Sequence, residues 1–200
     1  MRGPRRFIVY IAVSADGYIA RPDGDVQWLN RRAPRDYGMR AFYRGIDTIL
    51  LGRKTYDWAV DYARRNHLKA GVFDPKVANY VFSRRPPRRK APGVEFVSES
   101  VRTFARRLRA TPGKHVWIMG GGGLIASFLD ANEIDELDIH VIPTFIGKGI
   151  PLVAPRHRDI SLHLRSTKRY PDGVVRLRYQ LPKRPSRSVG RRRTLRLPVP

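Results

Sequence analysis

The chain has 200 residues, 42% of them hydrophobic, which suits one domain with a tail and is enough apolar material to fill a core. It contains no cysteine, which excludes a disulfide framework, thiolate metal sites and a cysteine nucleophile, and its five histidines fall in no metal-ligand spacing. Lys and Arg number 40 against 17 Asp and Glu, and the resulting net charge of +23 points to an anionic ligand, surface or nucleic acid.

Arg2, Arg5 and Arg6 precede the apolar run Phe7 to Val13 as in a secretory leader, but Asp16 ends that run early. No stretch approaches the roughly 18 apolar residues of a membrane span. No membrane partner is expected, and the cytoplasm is the expected compartment. The β-branched run itself reads as a buried first strand closed by the Asp16-Gly17 turn, and residues 15–33 read as one long loop. Arg35 to Arg44 has helical spacing and is closed by Gly45. Asp47 to Leu51 is an apolar strand that runs straight into Gly52-Arg53-Lys54-Thr55.

Residues 61–77 are polar and weakly patterned and read as a helix end with a mobile connection. Asn79 to Ser83 is a third buried strand, closed by Arg84-Arg85-Pro86-Pro87, and Val94 to Val97 a short fourth. Val101, Phe104, Ala105 and Leu108 make one helical face, with Ser98 or Ser100 as the cap. Val116 to Met119 is apolar throughout, as a strand buried between two layers should be, and it enters four glycines and the helix Leu124 to Leu129. Glu136 to Ile142 is another strand. Ser161 to Tyr170 and Val174 to Leu181 flank the Pro171-Asp172-Gly173 turn as a hairpin. Helices alternating with strands and a final hairpin predict an α/β fold, a mostly parallel sheet with an antiparallel C-terminal hairpin. Residues 1–182 form the expected domain. Residues 183–200, with seven Lys or Arg and no acid, form a basic disordered tail able to bind polyanions weakly.

In open α/β sheets ligands sit beyond the carboxyl ends of the strands, which singles out the residues just past each strand. Gly52 to Thr55 and Gly120 to Gly123 are strand-to-helix turns whose amides suit phosphate, two seats for the two phosphates of a dinucleotide. Arg53, Ser83 and Arg84 add donors for a third, isolated phosphate, which would select NADPH over NADH. Each turn taken alone is more often only a tight connection, and the run Arg84 to Lys90 taken alone is more often a solvated loop.

Taken in order, Ala12 to Ala20 with Gly24 to Leu29, Asp47 to Tyr56, Tyr80 to Arg84, Ile118 to Leu129 and Ile134 to Leu152 resemble the dihydrofolate reductase superfamily. The nearest branch is that of the reductase domain of riboflavin-biosynthesis deaminase-reductases. The resemblance covers residues 6–181 and implies the three-layer dihydrofolate-reductase-like fold, an NADPH-dependent oxidoreductase acting on a pterin- or pyrimidine-like heterocycle, and a homodimer.

It further implies that Gly52, Arg53, Lys54 and Thr55 form one pyrophosphate seat and Gly120, Gly121, Gly122, Gly123 and Leu124 the other, with a cis bond between Gly120 and Gly121. Ser83 and Arg84 would meet the adenosine-ribose phosphate, and Ala12 with the loop from Asp16 would lie beside the nicotinamide. For the proton, Asp36 is the candidate acid, or else a solvated helix-start carboxylate. Asp16 is a substrate contact or plain turn chemistry. Trp28 is a pocket wall or a loop anchor, and His140 a substrate-side residue or core packing. Arg31, Arg32 and Arg35 are candidates for a phosphorylated substrate. The alternatives to turnover are a polyanion-binding protein on the same scaffold and a cofactor binder without activity.

Overall fold

The computed structural model describes residues 4–30, 36–68, 71–156 and 159–182. The expected tail over 183–200 and the arginines at 31, 32 and 35 lie outside the described residues. The elements in chain order are β1 Phe7–Ser14, β2 Tyr18–Ala20, a 3-10 turn Gln27–Leu29, α1 Met39–Arg44, β3 Ile46–Gly52, α2 Arg53–Arg65, β4 Ala78–Phe82 and β5 Val94–Val97. They continue with α3 Val101–Arg109, β6 His115–Gly120, α4 Gly122–Asp130, β7 Glu136–Ile142, β8 Ile150–Pro151, β9 His163–Arg169 and β10 Val175–Gln180.

Eight strands form one sheet in the order β5-β4-β3-β6-β1-β7-β10-β9. The pairs from β5 to β7 are parallel, and β10 runs antiparallel to both β7 and β9. This is the mostly parallel sheet with an antiparallel C-terminal hairpin that the alternating pattern predicts. The period of two along β1 splits its side chains between two layers. Phe7, Val9 and Val13 pack with Phe104 of α3 and Phe128 of α4 on one face. On the other, Tyr10 packs with Trp117, and Phe42 of α1 and Val60 of α2 close over them.

Several expected boundaries move, each for a local reason. The loop over 15–33 is not structureless: β2 pairs with β8 in a small second sheet, and Gly149 is the residue that permits it, since a Cβ there would lie 2.2 Å from the Ala20 carbonyl oxygen. Helix α1 starts at Met39, because Tyr37 (φ 46°) and Gly38 (φ 94°) hold left-handed backbone that no α-helix contains. Helix α2 ends at Arg65, so the polar stretch from residue 61 opens as the expected helix end, with Tyr62 exposed on its outer side. Of the two candidate caps on α3, Ser100 is the one used, its hydroxyl accepting from the Thr103 amide at 3.2 Å. Strand β9 alternates in sequence yet is exposed along its whole length, as the sheet's edge strand.

Candidate active site

Strands β3 and β6 are neighbours, with Leu51 opposite Gly120, so the two strand-to-helix turns abut. A Cβ on Gly52 would lie 3.6 Å from both the Gly120 carbonyl oxygen and the Gly121 nitrogen, and one on Gly121 would lie 3.4 Å from the Thr55 hydroxyl. The Gly120-Gly121 bond is cis, as the resemblance implies. Both helices that leave these turns are capped by glycine, Gly52 for α2 and Gly121 for α4, with no side-chain acceptor on the first amides. Two helix N-termini without side-chain caps therefore open beside each other.

Their charge is also unusual for free helix ends. Arg53 and Lys54 occupy the first turn of α2, where the positive end of the helix dipole disfavours cations by about 0.3–1 kcal/mol each. An anion seated at that turn reverses the sign. Arg53 holds the neighbouring loop in place: its Nε donates to the Asp57 carboxylate at 2.8 and 2.9 Å and its Nη1 to the Arg85 carbonyl at 2.5 Å. Ser83, just past β4, receives the Arg85 amide on its hydroxyl at 3.2 Å, and Arg84 beside it is exposed. The structure thus brings Gly52 to Thr55, Ser83, Arg84 and Gly120 to Leu124 to one edge.

Ala12 continues that edge on β1 and pairs with His140 on β7. From Ser83 through Gly52, Gly120 and Ala12 to His140 the predicted residues follow the strand order β4-β3-β6-β1-β7, a line of about 19 Å at one strand spacing per step. The residues expected on a substrate side behave differently from one another. His140 is 3% exposed, and its Nε2 lies 3.2 Å from the Tyr37 carbonyl oxygen, which also accepts from Tyr10 at 3.1 Å and Tyr170 at 2.9 Å. Burial pushes the imidazole pKa below its ordinary value, so the ring is neutral and donates through Nε2. His140 is therefore part of a clamp on the chain entering α1. Asp36, exposed at that entry, accepts the Arg40 amide at 2.9 Å, the geometry of a helix-start carboxylate.

Asp16 is engaged on the backbone. Its carboxylate accepts from the Ser14 hydroxyl at 2.6 Å, from the Gly147 amide at 2.7 Å and from the Ile146 amide at 3.1 Å. The Ser14 hydroxyl, then the Gly147 and Ile146 amides, hold it below the usual carboxylate range. A depressed folded pKa stabilises fully above the ordinary carboxylate value, and that stabilisation is lost as the pH falls through the folded value. Acid below about pH 4, or Asp16→Ala at neutral pH, should therefore release the loop over 143–149. Amide exchange at Ile146 and Gly147 checks this; protection unchanged in Asp16→Ala would sink the latch.

Trp28 lies in the 3-10 turn with its indole nitrogen buried and without a hydrogen-bond partner among the described residues. Tyr10, Tyr37 and Tyr170, which complete the clamp, carried no sequence signal, because three separate segments supply them. Among the described residues no group of His, Cys, Asp and Glu is arranged to hold a metal ion, and no helix is long and apolar enough to cross a membrane.

Comparison with known proteins decides the family. The family described as the RibD C-terminal domain matches residues 5–176. The chain belongs to this family. Among curated relatives, the uncharacterised protein YwjB of Bacillus subtilis (strain 168) is 36% identical over 175 residues, 85% of this chain and 95% of that one. Among solved structures, a putative riboflavin biosynthesis protein from Shewanella sp. PV-4 superposes with a TM-score of 0.75 at 25% identity, covering 88% of this chain and 99% of that one. Dihydrofolate reductase from Enterococcus faecalis, solved with NADP(H), gives a TM-score of 0.62 at 15% identity over 88% of this chain and 96% of that one, a likeness of fold. This chain thus carries a RibD C-terminal domain with a dihydrofolate-reductase-like fold.

Proposed function

We propose that this RibD C-terminal domain is an NADPH-dependent reductase acting on a small flat heterocycle, pterin-like or pyrimidine-like, in the cytoplasm and as a homodimer. The observation that carries the reading is the pair of glycine-capped helix N-termini abutting across Gly52 and Gly120-Gly121, one of them lined by cations.

NADPH, when bound, supplies the hydride, so the protein's task is to bind, orient and exclude water. The amides of α2 and α4, with the Thr55 hydroxyl, take the pyrophosphate between them. Arg53, Lys54, Ser83 and Arg84 take the isolated phosphate, with the Arg53 guanidinium already oriented by Asp57. Ala12 presents a small side chain to the nicotinamide end. Trp28 offers a buried indole N–H to the substrate side. His140 fixes the entry to α1, and with it Asp36, the carboxylate that relays a proton from solvent. The engagement of Asp16 by two amides and a hydroxyl favours a second reading, a cofactor binder without turnover.

Isothermal titration tests the first reading. NADPH should bind at least tenfold more tightly than NADH, and Arg53→Ala or Ser83→Ala should narrow that preference, since a charged hydrogen bond contributes about 1.5–3 kcal/mol. Equal affinity for the two dinucleotides, or none for either, would overturn the assignment. NADPH that binds but is never oxidised with pterins or pyrimidines favours the second reading.

A further inference from the structure

The connection from β4 to β5 carries five cations in seven residues, Arg84, Arg85, Arg88, Arg89 and Lys90, all exposed, and no acid occurs anywhere from Pro75 to Val94. None of the five forms an ion pair among the described residues. Charge runs of this kind are ordinarily solvated and loose, but this one is held. The Ser83 amide donates to the Val97 carbonyl at 2.9 Å, Arg53 grips the Arg85 carbonyl, and the Ala91 amide donates to the Tyr56 hydroxyl at 2.9 Å. Pro86, Pro87 and Pro92 fix φ between these anchors. The loop therefore lies pinned along the first turn of α2, continuous with Arg53 and Lys54. Mutual repulsion among the cations is already present in the free protein, and a polyanion that docks there has less loop entropy to remove.

The number of cations exceeds what a dinucleotide uses. On the cofactor reading above, one isolated phosphate would occupy Arg53, Lys54, Ser83 and Arg84, and Arg85, Arg88, Arg89 and Lys90 lie beyond it. An anion that satisfies the whole run must extend past a single phosphate. The Lys90 ammonium lies 5.5 Å from the centroid of the half-buried Phe96 ring, and Tyr56, whose hydroxyl meets the loop, is buried, so neither ring is free to stack unpaired bases. Closely spaced backbone phosphates are the chemistry that fits, and a duplex presents them most densely.

We propose that the Arg84–Lys90 loop and the first turn of α2 form a sequence-independent binding surface for the phosphate backbone of duplex nucleic acid. Because it shares Arg53, Lys54 and Arg84 with the dinucleotide seat, duplex and NADPH exclude one another, a clause that rests on the cofactor reading above.

The test uses the full chain and a short fluorescent DNA duplex followed by anisotropy, with NADPH titrated separately. Arg88→Glu/Arg89→Glu should weaken duplex binding at least tenfold and leave NADPH affinity within about twofold. Wild-type affinity should fall about a hundredfold between about 50 and 200 mM salt, the slope for about four phosphates, and saturating NADPH should displace the duplex. Duplex binding that survives the double substitution belongs to the arginines of residues 183–200 and overturns the proposal, as does undiminished duplex binding beside saturating NADPH or tighter binding of a single strand. Should NADPH not bind at all, the reductase reading falls and the double substitution alone decides this one.

Discussion

Gly123→Asp should cost this protein at least a hundredfold in NADPH affinity while leaving its melting temperature unchanged or higher. Gly123 is exposed in the first turn of α4, and a side chain added there meets nothing within 4 Å. A carboxylate at that turn suits the helix dipole by about 0.3–1 kcal/mol, and aspartate is a better helix residue than glycine. The same carboxylate stands where the pyrophosphate should sit. Two like charges about 4 Å apart repel by about 4 kcal/mol at an effective dielectric constant of 20, close to a thousandfold in affinity. The neighbouring glycine cannot serve this purpose, because a Cβ on Gly122 would lie 2.3 Å from the Pro151 carbonyl oxygen and disturb the fold itself. Titration calorimetry beside thermal unfolding reads both quantities. A folded Gly123→Asp protein that binds NADPH as wild type would show that α4 is no phosphate seat.

The contrast between those two glycines marks what sequence alone can and cannot say. Four successive glycines after an apolar strand announce a tight turn, and the order of motifs from Ala12 to Leu152 identifies the scaffold. Which glycine is open to solvent and which is wedged against β8 depends on a contact between residues far apart in the chain. The sheet was legible because each strand carries its own local pattern. Helix α1 was misjudged at its start because the left-handed backbone at Tyr37 is stabilised by hydroxyls and an imidazole from Tyr10, His140 and Tyr170, none of them near it in sequence.

The residues proposed to face phosphate were legible for the same reason as the strands. Gly52 to Thr55 and Ser83-Arg84 directly follow strands, so their place at the carboxyl edge comes from topology. The substrate side was less so. Asp16 follows a strand as well, yet its partners are the amides of Ile146 and Gly147, and a carboxylate's occupation by backbone leaves no trace in a motif. The ion pairs on β7 and β10 were hidden altogether: Asp138 and Arg176 each sit in an alternating strand where a charged residue reads as solvent-facing, and only the antiparallel register, which sets Arg178 opposite Asp138 and Arg176 opposite His140, brings Arg176 diagonally onto Asp138.

Asp138→Ala should accordingly be among the most damaging single substitutions for stability, by about 3 kcal/mol or more, and should leave the cofactor edge alone. Asp138 is 2% exposed and accepts the Arg176 Nε at 2.7 Å, with a second, shorter bond to Nη2. The hydrogen bonds to Asp138 raise the Arg176 pKa further, so that guanidinium stays charged. It lies 5.8 Å from the Tyr10 ring centroid and under Gly38, where a Cβ would come within 3.2 Å of Nη1. Deleting the carboxylate strands this cation beneath the entry to α1, and removing one partner of such a pair typically costs about 3–5 kcal/mol. Arg178, whose Nε lies 3.7 Å from the Asp138 carboxylate, is a second cation and cannot take the place of that carboxylate. Replacing both charges, Asp138→Leu with Arg176→Met, should recover most of the loss, because an apolar pair of similar volume removes the need for compensation. Denaturant unfolding of the two variants measures the difference, and NADPH titration should find both within a few-fold of wild type. A loss under about 1 kcal/mol for Asp138→Ala would mean that the pair is solvated and does not hold α1 to the sheet.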